Sequence, residues 1–390
     1  MNIYIDFGYR SVNHYGEEVC GDRVETKRAE DLFLGVLADG MGSGVKANIL
    51  STMGSTILST MLMGGESVES AVDMVVRTLP VCSERGLNYC TFSVVTVDRG
   101  GVAHLTEFDN PQAWIIRNGQ TVQPERSLRQ VEGKAIWESS LPLIEGDVIV
   151  VTSDGAVNAG CNNQFSFNWT WDSVARWLCE RAGKYSSALR LATDLVGAVD
   201  NLYGGRPTDD VTAMVIRVPQ AQDVNIMYGP PEYPEDDAFM VREFMDAEGY
   251  KIVCGGTTSN IVSRVLNSPM ETMPETAADG VPPISFMADV DLVTEGVLTV
   301  SRAGDIMERY FSGGYSGGNF AELDAQNGAA FLAKQLIENC TTLRAFIGRA
   351  KNPAYEGKDV PLDLDMKLRA IERICTLLRD HGRTVEQYYY

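Results

Sequence analysis

The sequence is short of histidine and of basic charge, has no Cys-x-x-Cys pair and contains no long apolar run. Its three histidines, His14, His104 and His381, stand far apart along 390 residues. That spacing argues against a zinc site of the usual His/Cys kind. No uninterrupted apolar stretch approaches the roughly 18–20 residues needed to cross a bilayer. The opening MNIYIDFGYR has neither a basic n-region nor a long apolar stretch, so the expectation is a soluble cytoplasmic chain. Without a secretion signal, the eight cysteines are expected as reduced thiols rather than a disulfide framework. Lys and Arg number 33 against 53 Asp and Glu, a formal net charge of −20. Such a surface repels nucleic acid and anionic lipid, so neither nucleic acid nor membrane is an expected partner. It also repels phosphates unless cations reverse the sign locally. A carboxylate-rich site for magnesium or manganese stays open.

What is present is an ordinary globular composition, 44% hydrophobic and 22% charged. The length exceeds what one compact core usually carries and suits two domains. Residues 1–218 alternate short β-rich runs with amphipathic stretches. NIYIDF, LFLGVLA, TFSVVTVD, VAHLTEF, AWIIR, GDVIVVTSD and VTAMVIRV read as strands. TFSVVTVD and VAHLTEF, joined through Arg-Gly-Gly, read as an antiparallel hairpin. Helices are predicted over Lys46–Met63 and Glu66–Thr78, with Pro80 as a stop, then over Trp171–Arg181 and Ser186–Tyr203. A meander of strands with helices in consecutive pairs suggests packed sheets flanked by helices, an α+β arrangement, rather than βαβ units.

The acidic, proline-rich GPPEYPEDDA, Gly229 to Ala238, reads as a linker or boundary. This gives an amino-terminal domain over residues 1–220 and a smaller, helix-rich α/β domain over 221–390. In the latter, YKIVC is a strand, GGTTSN a tight turn and IVSRVL a helix start. ISFMADVDLV is another strand, and everything from Asn319 onward is mainly helical, with Leu368, Ile371, Cys375 and Leu378 at spacings of three and four. Gly255 and Gly256 before Thr257, Thr258, Ser259 and Asn260 would let an anion approach free helix amides; the plainer alternative is a turn with hydroxyl capping. Asp289, Asp291 and Glu295 offer ligands or, more plainly, a solvated turn.

Acidic residues recur at strand ends in the first domain: Asp22 in CGDRVE, Asp39 in LADGMGSG, Asp154 in TSDG, and Asp209 with Asp210 in TDDVT. A carboxylate beside glycine at a strand terminus can project into open space while the backbone carbonyl stays accessible, which hard divalent cations favour. Any one Asp-Gly is more often a turn than a ligand. Their ordered recurrence changes the balance.

That order resembles the metal-dependent type 2C protein serine/threonine phosphatases, most closely the stage II sporulation (SpoIIE-like) branch, over residues 1–218. The resemblance implies an αββα sandwich of two antiparallel sheets flanked by helices, with the active site at one edge. It also implies two Mn2+ or Mg2+ ions. Asp39 would bridge them, Gly40 would give its carbonyl to one of them, Asp154 and Asp209 would complete the shell of the second ion, and Asp22 would mostly hold metal-bound water. Asp210 would orient its neighbours. Two cations ~3.5–4 Å apart can activate one water for in-line attack on phosphorus. A thiol nucleophile is not needed, and no cysteine here begins a C-x5-R motif.

Arg10 is the only arginine upstream of Asp22 available to grip a phosphate. His14 is read either as a general acid or as a solvent-facing side chain. Ser43 and Lys46 are read as helix cap and solvated helix face. The resemblance implies phosphoserine or phosphothreonine hydrolysis on a regulatory phosphoprotein such as an anti-sigma-factor antagonist. Two alternatives stay open: a catalytically silent binding scaffold and a small-molecule phosphatase. A regulatory or dimerising role for residues 221–390, and with it a homodimer, is read from position alone.

Overall fold

In a computed structural model, the chain is described for residues 3–79, 90–159, 169–278, 280–315, 317–350 and 362–390, with the side chains of 362–365 left aside. Pro80, Cys82 and Cys161 lie outside these residues. The chain forms two compact units, Met1–Gln220 and Ala221–Tyr390. No helix among the described residues is long and apolar enough to cross a membrane.

The first unit contains β1 (Asp6–Val12), β2 (Asp22–Arg28), β3 (Leu32–Gly40), α1 (Gly44–Met63), α2 (Val68–Thr78), β4 (Cys90–Asp98), β5 (Val102–Phe108), β6 (Trp114–Arg117), β7 (Gln120–Val122), β8 (Arg126–Val131), β9 (Lys134–Pro142), β10 (Val148–Thr152), α3 (Trp171–Arg181), α4 (Ala188–Leu202) and β11 (Val211–Arg217). The strands make two antiparallel sheets, ordered β1-β11-β10-β6-β7 and β2-β3-β4-β5-β9-β8. Side chains alternate across a strand, and β3 shows what that does here. Phe33 and Leu37 enter the core between the sheets with Ile149, Val151, Met214 and Ile216. Leu34, Val36 and Ala38 face the other way, against Leu58, Leu62 and Val72 of α1 and α2. The second sheet does the same: Val150 and Val215 pack on Leu178 of α3 and Leu195 of α4. Both faces of each sheet are covered, so the central strands are apolar throughout. The result is an αββα sandwich.

Some expectations need correction. The first strand is Asp6–Val12, later than NIYIDF. β2, β7, β8 and β9 were not foreseen: DRVETKR and RSLRQV carry more charge than a buried strand signal allows, QTV is only three residues long, and KAIWESSLP alternates too weakly.

The second unit contains β12 (Asp223–Tyr228), α5 (Asp237–Asp246), β13 (Tyr250–Cys254), α6 (Gly256–Leu266), β14 (Met270–Thr272), β15 (Ser285–Met287), β16 (Val290–Thr294), α7 (Val297–Phe311), α8 (Gly328–Lys334), β17 (Thr342–Ile347), α9 (Leu362–Asp380) and β18 (Thr384–Tyr389). Its single sheet is ordered β14-β15-β16-β13-β12-β17-β18, parallel from β16 to β18. GPPEYPEDDA is not a linker: it follows β12 inside this unit and runs into α5. GGTTSN is not a turn of its own, since α6 begins at Gly256. The stretch after Asn319 is not mainly helical, since β17 and β18 both lie in it. ISFMADVDLV is a hairpin whose turn holds Asp289 at φ 66°.

Candidate active site at the sandwich edge

The register of the first sheet sets Asp22 directly opposite Asp39, and Asp39 opposite Thr91. Directly opposed residues share a face, here the face turned toward the second sheet. From that second sheet, Asp154 follows β10 in a short 3-10 turn, and Asp209 and Asp210 lead into β11. A cavity of about 380 Å3 at this edge is lined by Asp39, Gly40, Asp154 and Asp209, together with His14, Thr91, Thr208 and Asp109. The structure therefore gathers Asp39, Gly40, Asp154 and Asp209 around one space. Asp22 and Asp210 lie behind it, 5% and 3% exposed.

The loop between Asp39 and α1 owes its shape to glycine. Gly42 and Gly44 adopt φ of 96° and 68°, which turn the chain sharply from the strand into the helix. Ser43 sits at the N-cap but makes no cap hydrogen bond; its hydroxyl donates to Glu17 at 3.2 Å instead. The capping expected of it is thus replaced by a tie to the loop before β2. Lys46 is exposed on the first turn of α1.

Electrostatically the site is under strain from like charge. Asp39 is pushed up to about 9, by burial first and then by repulsion from Asp22, Asp154, Asp209 and Asp210. Burial pushes Asp22 up to about 7, although the Ser153 and Thr212 hydroxyls favour its charged form. Asp209 rises to about 6 through burial and then Asp154, and Asp154 is raised by burial. The Ser153 and Thr212 hydroxyls lie near Asp22 but are directed elsewhere, Ser153 Oγ to the Asp210 carbonyl at 3.4 Å and Thr212 Oγ1 to Ser11 Oγ at 2.7 Å. Neither Asp22 oxygen thus has a hydrogen-bond partner, and Oδ2 of Asp210 is likewise orphaned. Buried carboxylate oxygens without donors are costly. A cation is the partner such a group lacks, so this donor set fits divalent metal. Among the described residues no three His, Cys, Asp or Glu side chains are already set at metal-ligand spacing.

The remaining residues hold the carboxylates in place. The His14 amide donates to Asp210 Oδ1 at 3.0 Å, and the Asp210 amide donates to Asp209 Oδ1 at 2.9 Å. Ser153 Oγ accepts the Thr212 amide at 2.9 Å. Asp210 thereby links the two approaches to the cavity. The Nδ1 of His14 is buried without a hydrogen-bond partner. Arg10 lies on β1 opposite Ala213, outside the cavity lining, and the charge acting on it is Asp200. Cys90 borders the cavity, but burial, then Asp39 and Asp22, push its thiol up to about 12, which keeps it protonated and a poor nucleophile at neutral pH.

Sequence reasoning missed Thr91, Thr208 and Asp109. The first was findable, being the residue that pairs with Asp39 once LFLGVLADG and CTFSVVTVD are aligned as neighbours. Asp109 sits at φ 51° just past β5 and has no such signal. Asp289, Asp291 and Glu295 do not form a second cluster of this kind: Asp291 accepts the Lys251 amide at 2.7 Å, while Asp289 occupies a turn.

A Cβ on Gly155 would collide with the Asp210 carbonyl oxygen. Gly155→Ala is therefore expected to displace the Asp210 strand entry, lowering stability by ~1–3 kcal/mol and any activity of the site by about 10²-fold. Denaturant titration beside rate measurement checks this; unchanged values of both would contradict the packing described.

Residues 30–219 match the family model described as Stage II sporulation protein E (SpoIIE). Several solved structures are similar. The phosphatase domain of the cell fate determinant SpoIIE from Bacillus subtilis shares 19% identity over 55% of this chain and 92% of that one, with a TM-score of 0.43. A second structure of that protein, its PP2C phosphatase domain with a fragment of the regulatory domain, gives 19% identity over 55% of this chain and 63% of that one, with a TM-score of 0.47. RsbX in complex with magnesium gives 17%, 56% and 97%, with a TM-score of 0.40. Comparison with curated proteins gave no match.

Proposed function

We propose, from an amino-terminal unit that is SpoIIE-like and of the type 2C phosphatase family, that this chain hydrolyses phosphoserine or phosphothreonine on a regulatory phosphoprotein with the help of two divalent cations. The observation that carries this reading is the set of buried carboxylate oxygens without donors, both of Asp22 and Oδ2 of Asp210, behind a cavity lined by Asp39, Asp154 and Asp209.

Asp39, Asp154, Asp209 and the Gly40 carbonyl would hold Mn2+ or Mg2+, with Asp22 behind them. Such ions, when bound, lower the pKa of water and offset charge on phosphoryl oxygens. The protein's own part is placement. Asp210 fixes the two strand entries, and the Thr208 hydroxyl supplies a neutral donor at the cavity wall, while the Thr91 hydroxyl is spent on Asn110 Oδ1 at 2.7 Å. His14 also lines the cavity and is the side chain of the set that would hand a proton to a departing serine or threonine oxygen. The acidic cavity repels a phosphate dianion on its own; cation loading and substrate binding are therefore coupled. A phosphoprotein of the anti-sigma-factor-antagonist kind is the substrate this resemblance favours.

The test is hydrolysis of phosphoserine peptides with manganese and with chelator. Release of phosphate is expected only with the metal, together with calorimetric binding of manganese. Hydrolysis that persists in excess chelator, or an absence of metal binding, would remove the reading.

A further inference from the structure

The parallel part of the second sheet is ordered β16-β13-β12-β17-β18. From β12 the chain builds outward through β13 and β16, then returns to the other side of β12 with β17 and β18. In doubly wound sheets, ligands sit beyond the carboxyl ends of the strands where this direction reverses. Here that place is between β12 and β17, and a cavity of about 850 Å3 lies there. Its walls come from the segments that follow four strands: Gly229 and Pro230 after β12, Gly255 after β13, Glu295 after β16 and Arg349 after β17.

Two helices begin at this cavity. The N-caps of α6 and α7, Gly255 and Gly296, provide no side-chain cap, so the first-turn amides are left to other partners. A helix start alone would not define a site; Thr258 supplies the second observation. It lines the cavity from the first turn of α6 and is 1% exposed, yet its hydroxyl makes no hydrogen bond among the described residues. The neighbouring Ser259 hydroxyl, by contrast, donates to the Gly256 carbonyl at 2.9 Å. A hydroxyl that lines a cavity and is hydrogen-bonded to no protein group is open to a ligand.

The charges around the cavity set the ligand class. Arg264 is tied to Asp237, Arg349 stacks on the Tyr389 ring, 4.3 Å from its centroid, and Lys367 also lines the cavity, so three cationic side chains face Glu232, Asp237 and Glu295 there. Glu295 is an acceptor suited to hydroxyl groups. We propose that this cavity binds a small phosphorylated molecule of nucleotide size, with its phosphate at the α6 amides and the Thr258 hydroxyl. An isolated phosphate would leave most of the volume unfilled, whereas cavities of ~300–1,000 Å3 enclose whole organic ligands.

The experiment uses the full chain in excess chelator, so that the carboxylate site of the first unit takes no cation. AMP, inorganic phosphate and adenosine are titrated by calorimetry. AMP is expected to bind once per chain, with adenosine and free phosphate each at least about tenfold weaker. Thr258→Val is expected to weaken AMP about tenfold or more, the effect of removing one hydrogen bond to a charged group. Thr257→Glu, at an exposed position of the same turn, is expected to abolish it, while Asp39→Asn leaves it unchanged. Melting curves check that the variants fold; should Thr258→Val melt early, Thr257→Glu carries the test. No AMP binding, adenosine or phosphate binding as tightly as AMP, or native affinity in the folded Thr257→Glu variant would overturn the proposal.

Discussion

Asp39→Asn is expected to lower phosphopeptide hydrolysis by about 10³-fold or more, with no loss of metal-free stability. The two halves of that outcome have one cause. Asp39 stands where repulsion from Asp22, Asp154, Asp209 and Asp210 converges. Asparagine keeps the side chain's size and removes its charge, so the metal-free fold is relieved. The same change removes the carboxylate best placed to be shared between cations. Manganese titration should therefore show at least one site lost while the melting temperature in chelator holds or rises. A merely structural aspartate would behave in the opposite way, losing stability and leaving the kinetics of the folded fraction unchanged. Near-native turnover by Asp39→Asn would end the phosphatase reading.

The second large effect concerns pH and cations together. In the metal-free first unit, Asp39 titrates near 9, Asp22 near 7 and Asp209 near 6, each raised above the ordinary 3.8 first by burial. The folded state thus binds more protons than the unfolded one, and stability falls wherever that difference exists. The contribution of these groups is complete below about pH 4 and is lost progressively as pH rises through 6, 7 and 9. Cations must displace the same protons, so their affinity rises along the same axis. At pH 8, manganese at 100 times its dissociation constant is expected to stabilise by ~2.7 kcal/mol per ion, about 5–10 °C in the melting of a unit this size. At pH 5 the gain should shrink markedly. Calorimetric scans with and without manganese at the two values check it; an equal gain at both would mean that the carboxylates do not hold the ions.

Much of this site was legible in the sequence because Asp39 and Asp154 end apolar strands beside glycine, and Asp209 stands beside another aspartate just before one. LFLGVLADG and VIVVTSDG announce both the strand and the place where it stops. What was not legible depends on pairing between distant segments. Nothing in DRVETKR alone shows that Asp22 will lie across from Asp39, and the mixed charge of that strand hides it as a strand. The second unit was read poorly for a different reason. Proline and acidic residues in GPPEYPEDDA resemble linker composition, but a parallel sheet also places such loops beyond its strand ends. Thr258 could not have been singled out, since its distinction lies in burial and an unmet hydrogen bond rather than in its identity.

The hairpin of β2 and β3 joins two very different regions of the first unit. At one end its strands bring Asp22 and Asp39 face to face; at the other they are connected through Ala29, Glu30 and Asp31. Because successive side chains point to opposite faces, one residue more or fewer in that remote connection would turn Asp22 away from Asp39 without altering any acidic residue. The length of a surface turn, some seven residues along each strand from the carboxylates, in this sense helps to set which acidic side chains meet at the cavity. Insertions there are as consequential as substitutions at the aspartates themselves.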